Sequence, residues 1–240
     1  MTDVESDNTQ SMSAVSLVLR VFDEPVQVFK ELALRPRILL PAILVVLVTG
    51  VYAYGTPDAV LQEQTRSQME AFQERGQLTN EQIQERVDGA ASAQSRGLIF
   101  GAGAGGSLVA MAVVALVLML IFGATGPEPI KFKTEFSVIL HANVVGLAGA
   151  VLMVLLMRFA GMSEPTLSLG FLFDEESNAF LYRFFNLITL FGTWNMLLVA
   201  LGNQILSKGK SFTGPLFIVG GLWLLVKVGF AALGGLGFGG

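Results

Sequence analysis

The sequence predicts an all-α fold: a polytopic membrane protein built as a five-transmembrane-helix bundle, with an N-terminal amphipathic interfacial helix and an external helical hairpin. Three observations predict it. Of 240 residues, 52% are hydrophobic and 14% are charged, with a mean hydropathy of +0.63. Soluble domains carry about 25% charged residues. Five apolar runs approach the roughly 20 residues that a bilayer core requires. The one long polar stretch carries helix caps at both ends of a hairpin-sized segment.

The runs are taken in chain order. The first, residues 38–54, is short, with Pro41 in its opening turn, where a missing N–H costs little. Tyr52 and Tyr54 sit at its far end, where amphipathic aromatics favour a membrane interface. The others are 98–122, 136–160, 184–206 and 215–236. Together they define a transmembrane domain over 38–236, followed by a Gly-rich tail at 237–240. Residues 1–13 are polar and acidic, expected to be disordered, and lack the features of a signal peptide, so the first span is expected to direct insertion.

Residues 14–37 read as a cytoplasmic amphipathic helix. Val15, Val18, Leu19, Phe22, Val26, Phe29 and Ala33 recur at helical spacing, and Asp23 is placed to cap a restart at Pro25. The stripe lies either in the membrane interface or against the bundle, with nothing in the sequence to separate the two. Residues 56–96 read as the external hairpin. Thr56 and Pro57 open one helix, Gly76 closes it, and Thr79 with Gln82 forms a capping box for the next. Leu61, Met69 and Phe72 on the first helix are expected to meet Ile83 and Val87 on the second, and this hairpin is the expected external partner surface.

Lys and Arg near the run ends set the orientation. An inside N-terminus places Lys131, Lys133, Lys208 and Lys210 in short cytoplasmic loops and the C-terminus outside. The net charge of -4 leaves no basic footprint for nucleic acid. With no cysteine there is no thiolate metal site and no thiol nucleophile. The only histidine, His141, stands near a helix end without a companion ligand. No metal, cofactor or catalytic set is expected.

Four features remain for helix packing or partner contact. Gly97, Gly101 and Gly105 are spaced by four and permit close helix approach, with packing inside the bundle preferred over packing between copies. In the fourth run Asn186, Thr189, Thr193 and Asn203 fall on one helical stripe, with Trp194 beside it. Lys227 is a charge inside an apolar run; it either snorkels outward or pairs with Glu164, Asp174, Glu175 or Glu176.

The stretch Phe22-Asp23-Glu24-Pro25, then Phe29, Leu32, Arg35-Pro36-Arg37 and Pro41, resembles the opening of bacterial Yip1-domain proteins. Leu190-Phe191-Gly192-Thr193-Trp194-Asn195-Met196, then Leu201-Gly202 and Lys208-Gly209-Lys210-Ser211-Phe212, resembles the same family's fourth span. The resemblance runs from Phe22 to Ala231. It implies a multi-pass protein of the bacterial cytoplasmic (inner) membrane that accompanies another membrane complex, such as an ABC-type exporter. The eukaryotic relatives' Asp-Leu-Tyr-Gly-Pro stretch is missing, so their Rab GTPase binding is not carried over. The expected function is therefore a non-enzymatic membrane scaffold or accessory protein in contact with lipid and binding a membrane-protein partner or a second copy. The alternatives are a transporter or channel subunit for a small solute, and a membrane-shaping or lipid-sensing protein acting through residues 14–37.

The orientation has a direct check. In the cysteine-free chain, Gln73→Cys is expected to react with an impermeant thiol reagent added outside intact cells, and Lys208→Cys is not.

Overall fold

The computed structural model describes residues 12–73, 76–162, 165, 167–173 and 177–234. Among them are ten α-helices and one short 3-10 turn. The helices are α1 (Ala14–Arg20), α2 (Pro25–Leu34), α3 (Leu39–Gly55), α4 (Asp58–Gln73) and α5 (Asn80–Gly89), followed by α6 (Ala93–Thr125), α7 (Phe132–Phe159), α8 (Ala179–Asn186), α9 (Leu190–Leu206) and α10 (Thr213–Gly234). Three of them, α6, α7 and α10, are long and apolar enough to cross a membrane. A fourth span is reached if α3 and α4, which meet at 92°, are counted together. At 17 residues each, α3 and α9 extend about 26 Å, short of the roughly 30 Å hydrocarbon core.

The starts and stops follow local chemistry. Ser13, Ser92, Asn178 and Thr189 each accept a backbone N–H from the first turn of the helix they cap. Thr79 and Gln82 form the reciprocal capping box at α5. Gly76 takes a left-handed φ of 67° where α4 ends, a conformation that suits glycine. At α2 the N-cap is Glu24 rather than Asp23, and no side chain caps it; Pro25 opens the helix instead.

Helix α7 is the hub. It packs on α3, α6 and α9, while α3 also packs on α6, and α10 lies on α9. Close approach is set by glycine at specific crossings. A Cβ on Gly149 would lie 2.7 Å from the Phe191 ring, and one on Gly103 would lie 2.8 Å from the Thr49 methyl. The hairpin α4–α5 closes on itself, with Val60, Leu61, Ile83 and Val87 buried.

Two expectations change. Of the two arrangements left open for residues 14–37, packing against the bundle is the one observed. These residues form a bent pair, with α1 against α3 and α7 and α2 against α7 and α9. Leu17, Val21, Val28, Phe29 and Leu32 are fully buried there, whereas Val15, Leu19 and Val26 are exposed. The break at residues 21–24 resets the helical phase, so a single stripe drawn through both halves catches Val18 and Phe29 on the buried face but also takes in the exposed Val15, Leu19, Phe22 and Val26. The second change is a correction and concerns 184–206, which is not one helix. It is α8 and α9, separated by extended backbone at Thr189. Thr189 forms a β-bridge with Ser168, and the Leu190 N–H donates to the Leu167 carbonyl at 2.9 Å. The expectations for the first 11 residues and for 237–240 fall outside the described residues.

Phe29→Ala is expected to lower unfolding stability in detergent micelles by about 3–5 kcal/mol, as full burial of the ring dictates. Leu34→Ala, at a position 79% exposed, is expected to stay within about 0.5 kcal/mol. Denaturant titration of both variants makes the check.

Candidate functional site

Arg96, in the first turn of α6, is the organising charge at the hairpin end of the bundle. Its guanidinium donates to the carbonyls of Ala53 at 2.5 Å, Thr56 at 3.1 Å and Ala91 at 3.3 Å. It also pairs with the Asp58 carboxylate at 2.5 Å. Ala53 and Thr56 carry carbonyls at the end of α3 that no later helical turn can satisfy. Asp58 is the first residue of α4. One planar fork therefore ties the end of α3 to the start of α4 and fixes the right-angle bend between them. Arg158 adds a longer contact, 3.4 Å, to the Gly55 carbonyl.

The bend lays α4 across a cavity of about 680 Å³. Its walls come from four helices and a loop. Tyr52 is contributed by α3; Gln64, Ser67 and Gln68 come from one face of α4; Gly146, Gly149, Ala150, Met153 and Met157 form one face of α7. Thr189, Phe191 and Gly192 close the α9 side, and Pro165 and Leu167 the loop side. Among the described residues no lining residue is charged. Phe191 can lean on α7 because residue 149 has no side chain.

A second group of polar side chains is buried at the opposite end of α7. The Asn203 amide donates to the Glu135 carboxyl at 3.0 Å and to the Val199 carbonyl at 3.0 Å. Ser137 accepts the Arg37 N–H and donates to the Arg37 carbonyl, which fastens the approach to α3 onto α7. His141 lies 2.8 Å from the Ser137 carbonyl through Nδ1, a contact that requires the Nδ1–H tautomer. Its Nε2, Glu135 Oε2 and Asn203 Oδ1 are buried without a hydrogen-bond partner among the described residues. Among those residues no three His, Cys, Asp or Glu side chains gather closely enough to hold a metal ion. A second cavity, about 480 Å³, opens between α6 and α10, with the Asn195–Asn143 hydrogen bond (3.3 Å) on its floor.

The residues singled out in the sequence are not brought together. Asn186 ends α8 and accepts from the Ser168 hydroxyl at 2.6 Å. Thr189 is the N-cap of α9, accepting the Gly192 N–H, and the Thr193 hydroxyl returns to the Thr189 carbonyl. These three therefore serve the chain break rather than a helix stripe, and only Thr189 reaches the large cavity. Trp194 meets Phe22 edge-on at 5.9 Å. Lys227 stands 5.5 Å over the Trp223 ring, a cation–π contact; its suggested acidic partners 164 and 174–176 lie outside the described residues. Leu61, Ile83 and Val87 are the hairpin's own core and are not available as a partner surface. Met69 touches Arg86, and Phe72 is half-buried. Gly97, Gly101 and Gly105 were expected to pack inside the bundle. They face open space, with nothing within 4 Å of a Cβ at any of them. The close contact to α3 falls instead on Gly103, which lies off the four-residue spacing.

Sequence reasoning missed Arg96 and the Glu135–Asn203 and Asn143–Asn195 pairs. The pairs join residues 68 and 52 positions apart, so no local signal links them. No family model, curated protein or solved structure matches the chain.

Arg96→Ala is expected to destabilise the chain by about 1–3 kcal/mol, since buried carbonyls lose their donor while the exposed Asp58 carboxylate returns to water. Arg96→Lys recovers only part of this, because an ammonium cannot reproduce the fork. Limited proteolysis within 56–62, faster in both variants and fastest in the alanine, is the accompanying readout.

Proposed function

We propose that the chain is a non-enzymatic membrane scaffold or accessory protein that binds another membrane protein through the outward face of α6. In this reading α3, α6, α7, α9 and α10 all cross the bacterial cytoplasmic membrane, the N-terminus is cytoplasmic and the C-terminus is outside. The two short spans are accommodated by local thinning of the bilayer, at a modest cost. The resemblance to Yip1-domain proteins points the same way, toward a partner such as an ABC-type exporter or a second copy.

One observation carries the reading. Gly97, Gly101 and Gly105 lie on the longest apolar helix, 33 residues, and among the described residues nothing comes within 4 Å of a Cβ at any of them. Glycine costs about 0.8–1.0 kcal/mol per residue in a helix interior relative to alanine. Where no contact inside the chain offsets that cost, a backbone-to-backbone approach by a second helix does. Gly106 lies open on the same helix and widens the face.

The alternative, a transporter or channel subunit, draws on the cavity beside Thr189 and predicts solute flux in liposomes.

Because the face is open, Gly101→Leu and Gly105→Leu do not disturb the fold, which makes them clean probes. Purification from native membranes in mild detergent is expected to retain a stoichiometric membrane partner, or a second copy, with the wild-type chain. The double variant is expected to lose it while its melting temperature is unchanged. A partner-free wild-type preparation, or a partner held equally well by the variant, refutes the proposal.

A further inference from the structure

The groove that α3 and α9 form over α7 is occupied in two different ways along its length. At the α2–α3 end it is filled by protein: α1 and α2 lie in it, with Phe29 against Gly202 and Phe22 reaching Trp194. From Gly202 back to Trp194 is eight residues, about 12 Å of helix rise. Beyond Trp194 the groove continues as the cavity of about 680 Å³ under α4, inside the roughly 300–1,000 Å³ range of small-molecule sites.

That cavity is polarised. Its α7 wall is apolar, with Gly149, Ala150, Met153 and Met157 on one helical face. Its hydrogen-bonding groups are concentrated on the roof, where Gln64 and Gln68 project from α4. Among the described residues none of the lining side chains is charged. Leu167, on the loop side, is 42% exposed.

We propose that this cavity binds a lipid-type amphiphile with an uncharged, hydrogen-bonding head, such as a diacylglycerol. The hydrocarbon chain lies along the α7 wall and the head sits under the carboxamides of α4. Carboxamides both donate and accept, so they recognise hydroxyl and ester groups. An anionic phosphate head finds no cation among the described lining residues, and placing one there leaves its charge unpaired. A water-soluble solute leaves the α7 wall unmatched. The methionines suit a flexible chain, since an unbranched thioether side chain adapts to irregular apolar shapes. The assignment rests on the bundle lying in a membrane, as proposed above, and is independent of the partner face on α6.

The test uses the full chain in proteoliposomes doped with a diacylglycerol carrying a photoactivatable group in its acyl chain, and in parallel with an identically labelled phosphatidylglycerol. Peptide mapping is expected to place diacylglycerol adducts on residues 146–157 and 64–68. Ala150→Trp, which fills the cavity, is expected to cut those adducts by about five-fold or more, roughly 1 kcal/mol. Adducts on the exposed face of α10 serve as the internal reference and stay constant. The second variant, Gln64→Leu with Gln68→Leu, changes only α4 and is expected to erase the preference for diacylglycerol over phosphatidylglycerol. The proposal is overturned if adducts are unaffected by both variants, if phosphatidylglycerol labels the cavity equally in the wild-type chain, or if a water-soluble solute displaces the label. Gly101→Leu is expected to label fully, so a lost α6 partner and an empty cavity give different results.

Discussion

The architecture at the hairpin end depends on one buried cation. A guanidinium removed from water is tolerated only where its donors are met, and Arg96 meets them with the carbonyls of Ala53, Thr56 and Ala91 and the carboxylate of Asp58. The partners need the arginine as much as it needs them, because α3 ends there and leaves carbonyls without helical donors. The result is a joint between α3, α4 and α6. It sets the 92° turn, and the turn makes α4 a roof instead of a continuation of α3. The polar roof over an apolar α7 wall follows from that joint.

Helix α7 distributes the rest. Small residues allow its neighbours close access where side chains are large: Gly149 under Phe191, and Gly202 between Val138 and Phe29. Elsewhere polar pairs fasten it, with Asn203 on Glu135 and Ser137 on the Arg37 backbone. Apolar packing does not distinguish one register from another when lipid is an equally good solvent for leucine. Hydrogen bonds of this kind do distinguish registers, because a shifted helix leaves buried amides and carboxyls unmet. The polar pairs therefore act as register marks alongside the glycine-set crossings.

The fold was legible in the sequence wherever the signal was local. The Thr79–Gln82 capping box, the turn at Gly76 and the long apolar helices α6, α7 and α10 follow from neighbouring residues alone. The phase of α1–α2 was not legible, because the break at 21–24 rotates one apolar face relative to the other. The split at Thr189 was hidden for a related reason. Asn186, Thr189 and Thr193 fall on one face only if the helix is continuous, and a threonine serves equally as a helix N-cap. The candidate sites were less legible still. Arg96 acts through residues 38 to 43 positions away, and the roof of the cavity exists only after that contact has formed.

The two classes of glycine in this chain carry different information. Where a Cβ would strike a neighbour, as at Gly149 and Gly103, the residue is explained by the fold. Where the same residue type faces open space at regular spacing on a long helix, as at Gly97, Gly101 and Gly105, the fold gives no reason for it. Helix propensity alone favours alanine at each of those positions. A regular run of disfavoured residues on an open face is a cost that no contact among the described residues offsets, and this is the observation on which the proposed partner face rests. The same reasoning separates the two halves of the α3–α9 groove. Its one half is filled by α1 and α2, whereas its other half is an open cavity with the carboxamides of Gln64 and Gln68 above an apolar wall.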